Sequence, residues 1–411
     1  MRLFLAAFLV LHAASVGYAQ QIAESDWPQW RGPTRDGFVR NGRWPERLKT
    51  DNFKEIWTKP LGPGYPGPLV MGDKVFVGET KDRKVEVVRA LDRKTGKQLW
   101  EASWEGSLSV PFFAKANGDW IRSTPACDGE SVFVGGIRDL LVCLDAATGK
   151  ERWRYDFVKE TKSPVPAFGF VCSPLLDGDY VFVQAGSGLA KLEKKTGKLA
   201  WHVLKGGDAM MGSAFSSPSF ATLAGKRQLL VQTRTALVGV DPESGDKLWS
   251  QEIPAFRGMN ILTPVLFNDG IFTSAYGAKS YLYRPSADGK VETAWTNKLQ
   301  AYMSSPIIHD GHAYVHLRNQ TAACIDLKTG ETKWNTSERF GQYWSMVASG
   351  DRILALDERG MLFSFRATPE KFDLIDRHEV TKTSSWAHLA VSGDEVFVRS
   401  LDKLHAFRWS R

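Results

Sequence analysis

A ten-residue phrase returns five times along this chain: LDRKTGKQLW (Leu91 to Trp100), LDAATGKERW (Leu144 to Trp153), LEKKTGKLAW (Leu192 to Trp201), VDPESGDKLW (Val240 to Trp249) and IDLKTGETKW (Ile325 to Trp334). Repetition in phase at this period argues against a set of unrelated globular domains, because stacked units share one continuous core. Within the phrase the acidic side chain accepts backbone N–H bonds from the residues that follow, and the glycine supplies the positive φ that closes a hairpin. Asp92, Gly96 and Trp100 therefore read as architecture, as do Asp145, Gly149 and Trp153, Gly197 and Trp201, Asp241, Gly245 and Trp249, and Asp326, Gly330 and Trp334. An aspartate at a hairpin tip faces solvent rather than a cleft, so no catalytic role is assigned to it. The tryptophan is expected in the seam between adjacent units, where a large flat ring covers apolar area.

Upstream of each turn runs a second phrase, seen as TPACDGESVFVGG from Thr124, SPLLDGDYVFVQA from Ser173, TPVLFNDGIFTSA from Thr263 and SPIIHDGHAYVHL from Ser305. It reads as strand, Asp-Gly turn, strand. A third strand enters the Leu-Asp pair and a fourth carries the tryptophan, so each unit holds four antiparallel strands. Aligning units on Pro68, Pro125, Pro174, Pro218, Pro264, Pro306, Val347 and Leu389 counts eight, spaced by about 41 to 57 residues, which suits radial blades. The expected fold is an all-β, eight-bladed propeller over residues 52–411. Blades five and seven depart from the phrase, with Trp295 after YRPSADGKVETA and with Leu374 at the tryptophan position of FRATPEKFDLIDR. Blade eight runs out after three strands, at LDKLHAFRWSR, and NFKEIWTKPL (Asn52 to Leu61) carries Trp57 with no strands before it. Joining the two closes the ring and removes its exposed edges.

Residues 1–19, MRLFLAAFLVLHAASVGYA, have the charge, apolar run and small-residue end of a secretory leader. They place the chain in the periplasm or outside the cell. No cysteine follows to take a lipid, and no other stretch is apolar enough to span a membrane. Residues 20–51 form a lead segment before the propeller. The net charge of +7, lowered by one if the leader with Arg2 is removed, allows a polyanionic cell-envelope partner; export argues against nucleic acid. Cys127, Cys143, Cys172 and Cys324 read as buried free thiols, with a bridge between Cys127 and Cys143 as the alternative.

The Leu-Asp-x-x-Thr-Gly-x-x-x-Trp phrase, in five copies, resembles the hallmark of the pyrroloquinoline-quinone (PQQ) type propeller repeat over about residues 52–411. DWPQWRGPTRDG (Asp26 to Gly37) is similar to the lead segment of secreted bacterial proteins of this type. The resemblance implies either a quinoprotein dehydrogenase or a non-catalytic propeller such as the periplasmic scaffold of outer-membrane β-barrel assembly. The enzyme reading calls for adjacent cysteines under the quinone, carboxylate and amide ligands for Ca²⁺ and an aspartate base. No two cysteines are adjacent, there is no C-x-x-C-H haem signature, and Asn260 alone is too little for calcium. The chain is accordingly read as a non-catalytic binding or scaffold protein, monomeric, with no cofactor expected. A PQQ-dependent dehydrogenase holding PQQ with calcium is the runner-up, and a glycan-binding propeller the third reading.

His309, His312 and His316 read as turn and strand-edge histidines rather than a metal site. Binding is expected on the face of the long inter-blade loops, 100–125 and 153–174 above all. Three residues before each aligned position stand Tyr65, Arg122, Val171, Phe215, Ile261, Met303, Trp344 and Trp386, which should ring the channel mouth and fill the hole. Trp120, Phe168, Phe170, Arg257, Tyr302 and Tyr343 enlarge this to an aromatic and basic surface of the kind that anchors partners.

Overall fold

The computed structural model describes residues 26–40, 42, 44–49 and 51–410. The leader expected at residues 1–19 lies outside them. Among the described residues thirty-two strands form eight antiparallel sheets of four, each in the order of the sequence from the axis outward, with one exception. The eighth sheet is built from Ala390–Ser392, Glu395–Arg399 and Lys403–Trp409, and its outer strand is Phe53–Pro60 from the other end of the chain. The ring is thus closed as the sequence predicts. Pairing runs from Phe53 opposite Trp409 to Pro60 opposite Lys403, with a bulge just before Trp57. The same bulge precedes Trp100, where the extra residue Leu99 is pushed out to 47% exposure. Bulges re-aim the following side chain, and here they turn each tryptophan toward the neighbouring blade.

The seam has a repeated physical form. Trp57 donates its indole N–H to the Arg93 carbonyl of blade one at 2.9 Å; Trp100 donates to Ala146 at 3.1 Å, Trp153 to Lys194 at 2.8 Å and Trp201 to Glu243 at 3.1 Å. Each ring lies on the next blade's turn glycine: a Cβ on Gly149 would stand 2.5 Å from Trp100, and one on Gly197 2.6 Å from Trp153. The acidic residue organises the turn as expected, Asp92 accepting from Thr95 N at 2.8 Å and Asp145 from Thr148 N at 2.8 Å. Trp295 and Trp334 keep the bond to the next turn, through the carbonyls of Leu327 and Thr368. Trp249 instead donates to Gln228 within its own blade, because blade five has a divergent turn. Leu374 in blade seven has a simple cause: blade eight has no hairpin between its third and fourth strands, so there is no turn for a tryptophan to rest on. Trp44, 5.8 Å from Trp409, and Phe53, stacked 4.8 Å from Phe407, fill that seam.

The lead segment crosses the hairpin-turn end of the channel. Trp27 bridges Val70 of blade one, the Pro28 carbonyl accepts from Cys127 N of blade two, and Phe38 pairs in parallel with Ala348 of blade seven. Arg35 donates to the Ser173 and Pro174 carbonyls of blade three, and Arg31 to Pro306 of blade six at 2.6 Å. Trp30 lies edge-on to His388 of blade eight, with Arg31 and Arg35 at 5.6 and 5.5 Å from its ring. This end of the hole is therefore stoppered by the lead segment, not by the inner ring to which the sequence reading gave the task. All four cysteines are free and buried. Among the described residues no helix is long and apolar enough to cross a membrane.

Candidate functional site

On the long-loop end the channel opens into a pocket of about 230 Å³. Seven of the eight ring positions line it: Tyr65, Arg122, Val171, Phe215, Ile261, Met303 and Trp386. The eighth, Trp344, does not. It is buried at 1% exposure among Phe340, Phe363 and Phe365, and Tyr343 lines the pocket in its place. The inner strand of blade seven, Trp344–Ser349, is longer than its counterparts, and Ser345, which accepts from Leu389 N, stands at the hydroxyl position of the phrase, so the aligned position is Met346 rather than Val347. Side chains alternate along a strand, so a slip of one moves each to the other face.

Beneath the ring runs a belt of hydroxyls from the Ser/Thr-Pro phrase. Gly67 N donates to Thr124 Oγ1 at 2.9 Å, Ser173 N to Ser217 Oγ at 2.9 Å, Ser217 N to Thr263 Oγ1 at 3.0 Å and Thr263 N to Ser305 Oγ at 3.2 Å. The inner strands of blades one and two, and of blades three to six in turn, are thereby tied together, and buried amides that no strand pairs are satisfied. In blade eight His388 stands at the hydroxyl position and also lines the pocket. Burial, then the nearby Arg31 charge, pulls it down to about 3, so it is neutral at physiological pH. Trp30 forms the floor.

The remaining predicted residues divide. Tyr302 and Phe168 line the pocket, Tyr302 packed 4.8 Å from Tyr276 and Phe168 only 8% exposed between Phe113 and Phe215. Phe170 is not on the surface at all. At 1% exposure it fills the wedge between blades two and three over Gly135, where a Cβ would come within 2.5 Å of its ring. Trp120 stands outside the pocket, edge-on to Tyr65 at 5.5 Å, and Arg257 is exposed beside Phe256. Tyr343 and Trp386 stack at 6.1 Å on the wall. Burial pushes the Tyr65 hydroxyl up to about 12 against the opposing effect of Arg122. The three histidines go to separate surroundings: His309 stacks on Phe38, His312 stays near the surface and His316 is buried against Trp344.

Sequence reasoning missed four features here: Trp30, His388, the hydroxyl belt, and the exposed phenylalanines. Phe112 is 83% exposed, Phe113 55% and Phe256 53%, all in loops of this face. The Pro-Phe-Phe triplet within a long loop was the available signal for the first two. Arg234, buried, holds the loops from blades three and four by donating to the carbonyls of Met210, Ser213 and Arg257 at 2.6 to 3.2 Å.

The sequence model of the family described as outer membrane protein assembly factor BamB matches residues 84–336. Among curated relatives, the outer membrane protein assembly factor BamB of Moranella endobia (strain PCIT) is 22% identical over 335 residues, covering 75% of this chain and 79% of the relative. That of Yersinia pestis is 19% identical over 320 residues, 76% of this chain and 68% of the relative. Among solved structures, BamB from Moraxella catarrhalis is similar with a TM-score of 0.64 and 15% identity, over 87% of this chain and 98% of that one. A quinohemoprotein alcohol dehydrogenase from Pseudomonas putida HK5 is similar with a TM-score of 0.66 and 11% identity, over 94% and 80%. At these identities the structural likeness speaks for the fold alone, whereas the sequence match covers more than half of the chain. The chain belongs to the PQQ-repeat propeller family described by the outer membrane protein assembly factor BamB.

Proposed function

We propose that this protein is an exported, non-catalytic scaffold in the assembly of outer-membrane proteins, docking a protein partner on its long-loop face. The observation that carries the reading is the trio Phe112, Phe113 and Phe256. Five large hydrophobic side chains are exposed among the described residues, and three are phenylalanines of this one face. Exposed aromatics on a rigid scaffold are typical interface anchors. The relatives named as assembly factors support the same reading. So does the pocket chemistry: among the described residues its lining offers no Asp, Glu, Asn or Gln to serve as a base or to ligate calcium. The partner is a protein or cell-envelope component, with no cofactor required.

The structure changes which residues to test. Phe168 packs with Val110 and Ala114, so truncating it would disturb the fold, whereas Phe112 and Phe113 project from the surface. Serine at both should weaken partner capture by about tenfold or more and fail to restore outer-membrane β-barrel levels in a host lacking the native gene, with melting unchanged. Replacing Lys94 and Lys195, exposed at hairpin tips of the opposite face, should do little. If the lysine variants lose the partner and the phenylalanine variants keep it, the docking face is wrong. Stoichiometric uptake of PQQ with Ca²⁺ by the purified protein would favour the dehydrogenase reading instead.

A further inference from the structure

The axial pocket has a chemical asymmetry that docking by the loop phenylalanines does not use. Its walls and floor are aromatic, with Tyr65, Phe215, Tyr302, Tyr343 and Trp386 around Trp30. Against these stands one permanently charged lining group, Arg122, and no carboxylate lines the pocket among the described residues. Arg122 lies 5.4 Å over the Tyr65 ring and donates Nη2 to the Gly118 carbonyl at 2.7 Å, while its Nε is buried with no partner. Asp119, the carboxylate in its neighbourhood, accepts from Val110 N.

Beside the floor, Arg31 and Arg35 are buried as well, and their Nε atoms and the Nη1 of Arg31 also lack partners. Positive charges taken out of water and offset only through space, Arg31 by Asp36 and Arg122 by Asp119, are costly. Burial lowers Arg31 to about 10 and Arg35 to about 9, and it lowers Arg122 too. Such a site favours negative charge at its polar side and a flat apolar body against its rings. Its volume, about 230 Å³, is below the range of about 300 to 1,000 Å³ common for drug-sized ligands, and suits a body the size of one aromatic side chain.

We infer that the axial pocket binds an aromatic group bearing a single carboxylate, the ring held by the aromatic wall and the carboxylate by the Arg122 guanidinium. Bidentate pairing with a carboxylate is the interaction for which a guanidinium is shaped. The inference goes beyond the assembly role and stands independently of it.

The test uses the full mature chain and four probes: N-acetylphenylalanine, its amide, and the acetyl-Gly-Gly-Phe peptide as acid and as amide. Titration is followed by calorimetry and by the fluorescence of the pocket tryptophans. At least one acid should bind saturably, with its amide weaker by about tenfold or more. Arg122→Gln should erase that difference without changing the melt, and Arg122→Lys, which keeps the charge, should retain part of it. Binding of the free amino-acid derivative alone identifies a small-molecule source, and tighter binding of the peptide acid identifies a polypeptide terminus. Equal binding of acid and amide, or no saturable binding of either acid at millimolar concentration, would overturn the inference. If Arg122→Gln fails to fold, the comparison of acid with amide on the unchanged chain still decides. Neither outcome depends on β-barrel assembly, so failure here and failure of the scaffold reading are separable.

Discussion

Gly149 carries two constraints at once. Its φ of +73° lies in the left-handed region, and a Cβ there would meet the ring of Trp100 at 2.5 Å. Gly311 has the same φ of +73° but open space around it. Alanine at Gly311 should therefore cost only the conformational penalty, about 1 kcal/mol. Alanine at Gly149 should cost that plus displacement of a packed indole, about 2 to 4 kcal/mol in total. Urea denaturation of the two variants measures the difference, and equal losses would mean that the indole does not bear on the turn. The comparison separates what a glycine is for within a repeat: the turn asks for positive φ, while the neighbouring blade asks for the missing Cβ. The first requirement is legible in the phrase Asp-x-x-Thr-Gly, but the second depends on a residue 49 positions earlier and on how two blades meet.

At the scale of elements, the strand Phe53–Pro60 does the work of ring closure. Its loss would uncover Lys403–Trp409 along one edge and remove Trp57 from Gly96 and the Arg93 carbonyl. Arg93 also ties blades one and eight directly, donating to Glu395 at 2.5 Å and to the Ser392 carbonyl at 3.1 Å. Deleting residues 51–61 should lower the melting temperature and drive aggregation through the open edge. Light scattering and thermal melts check this, and a monomer as heat-stable as the parent would contradict the closure. The lead segment is an element whose role was not legible. Its aromatic and arginine content marks it as unusual for a linker, yet its contacts reach blades one, two, three, six, seven and eight, and no local pattern encodes partners hundreds of residues away.

The whole molecule titrates through buried groups of opposite sense. Burial raises Glu86, which accepts from Trp104 Nε1 and Ile137 N, to about 7, and Asp139, which accepts from Gly186 N, to about 7. It lowers His388 to about 3 and His316 to about 4, and His202 moves in the same direction. Between the unfolded carboxyl values near 4 and the folded values near 7, the native state binds more protons at the two carboxyls, so their contribution to stability falls as pH rises. For the histidines the unfolded chain binds more protons between the folded values and about 6.5, so their contribution rises with pH. The two sets offset each other from about pH 4.5 to 6.5, and the parent profile should be shallow there and then decline toward pH 7. Replacing Glu86 by Gln and Asp139 by Asn removes one set. Stability of that variant should climb from pH 4.5 to 6.5, by up to about 1.4 kcal/mol per pH unit per histidine, and level off above. The slope of urea midpoints against pH is the readout, and a variant with the parent's slope would show that these carboxyls do not titrate in the window.

The repeat determined the fold, and the reason is redundancy. Five near-identical turns, an alternating strand pattern and a lone strand at one end leave a closed ring of eight blades as the arrangement that buries every unit and pairs every inner edge. The same periodicity placed seven of eight channel positions, because the axis is a symmetry element of the repeat itself. What failed did so where symmetry breaks. A one-residue offset in blade seven exchanged Trp344 for Tyr343, and Phe170, grouped with the aromatic surface because it lies in a long loop, belongs to the wedge between blades two and three. Tertiary structure alone decided that the lead segment stoppers one end, that Trp30 becomes the pocket floor, and that Arg31 and Arg35 are buried beside it. Those residues lie in the lead segment, outside the repeat, and their surroundings are set by long-range packing and by charge taken out of water, which no repeat phrase carries.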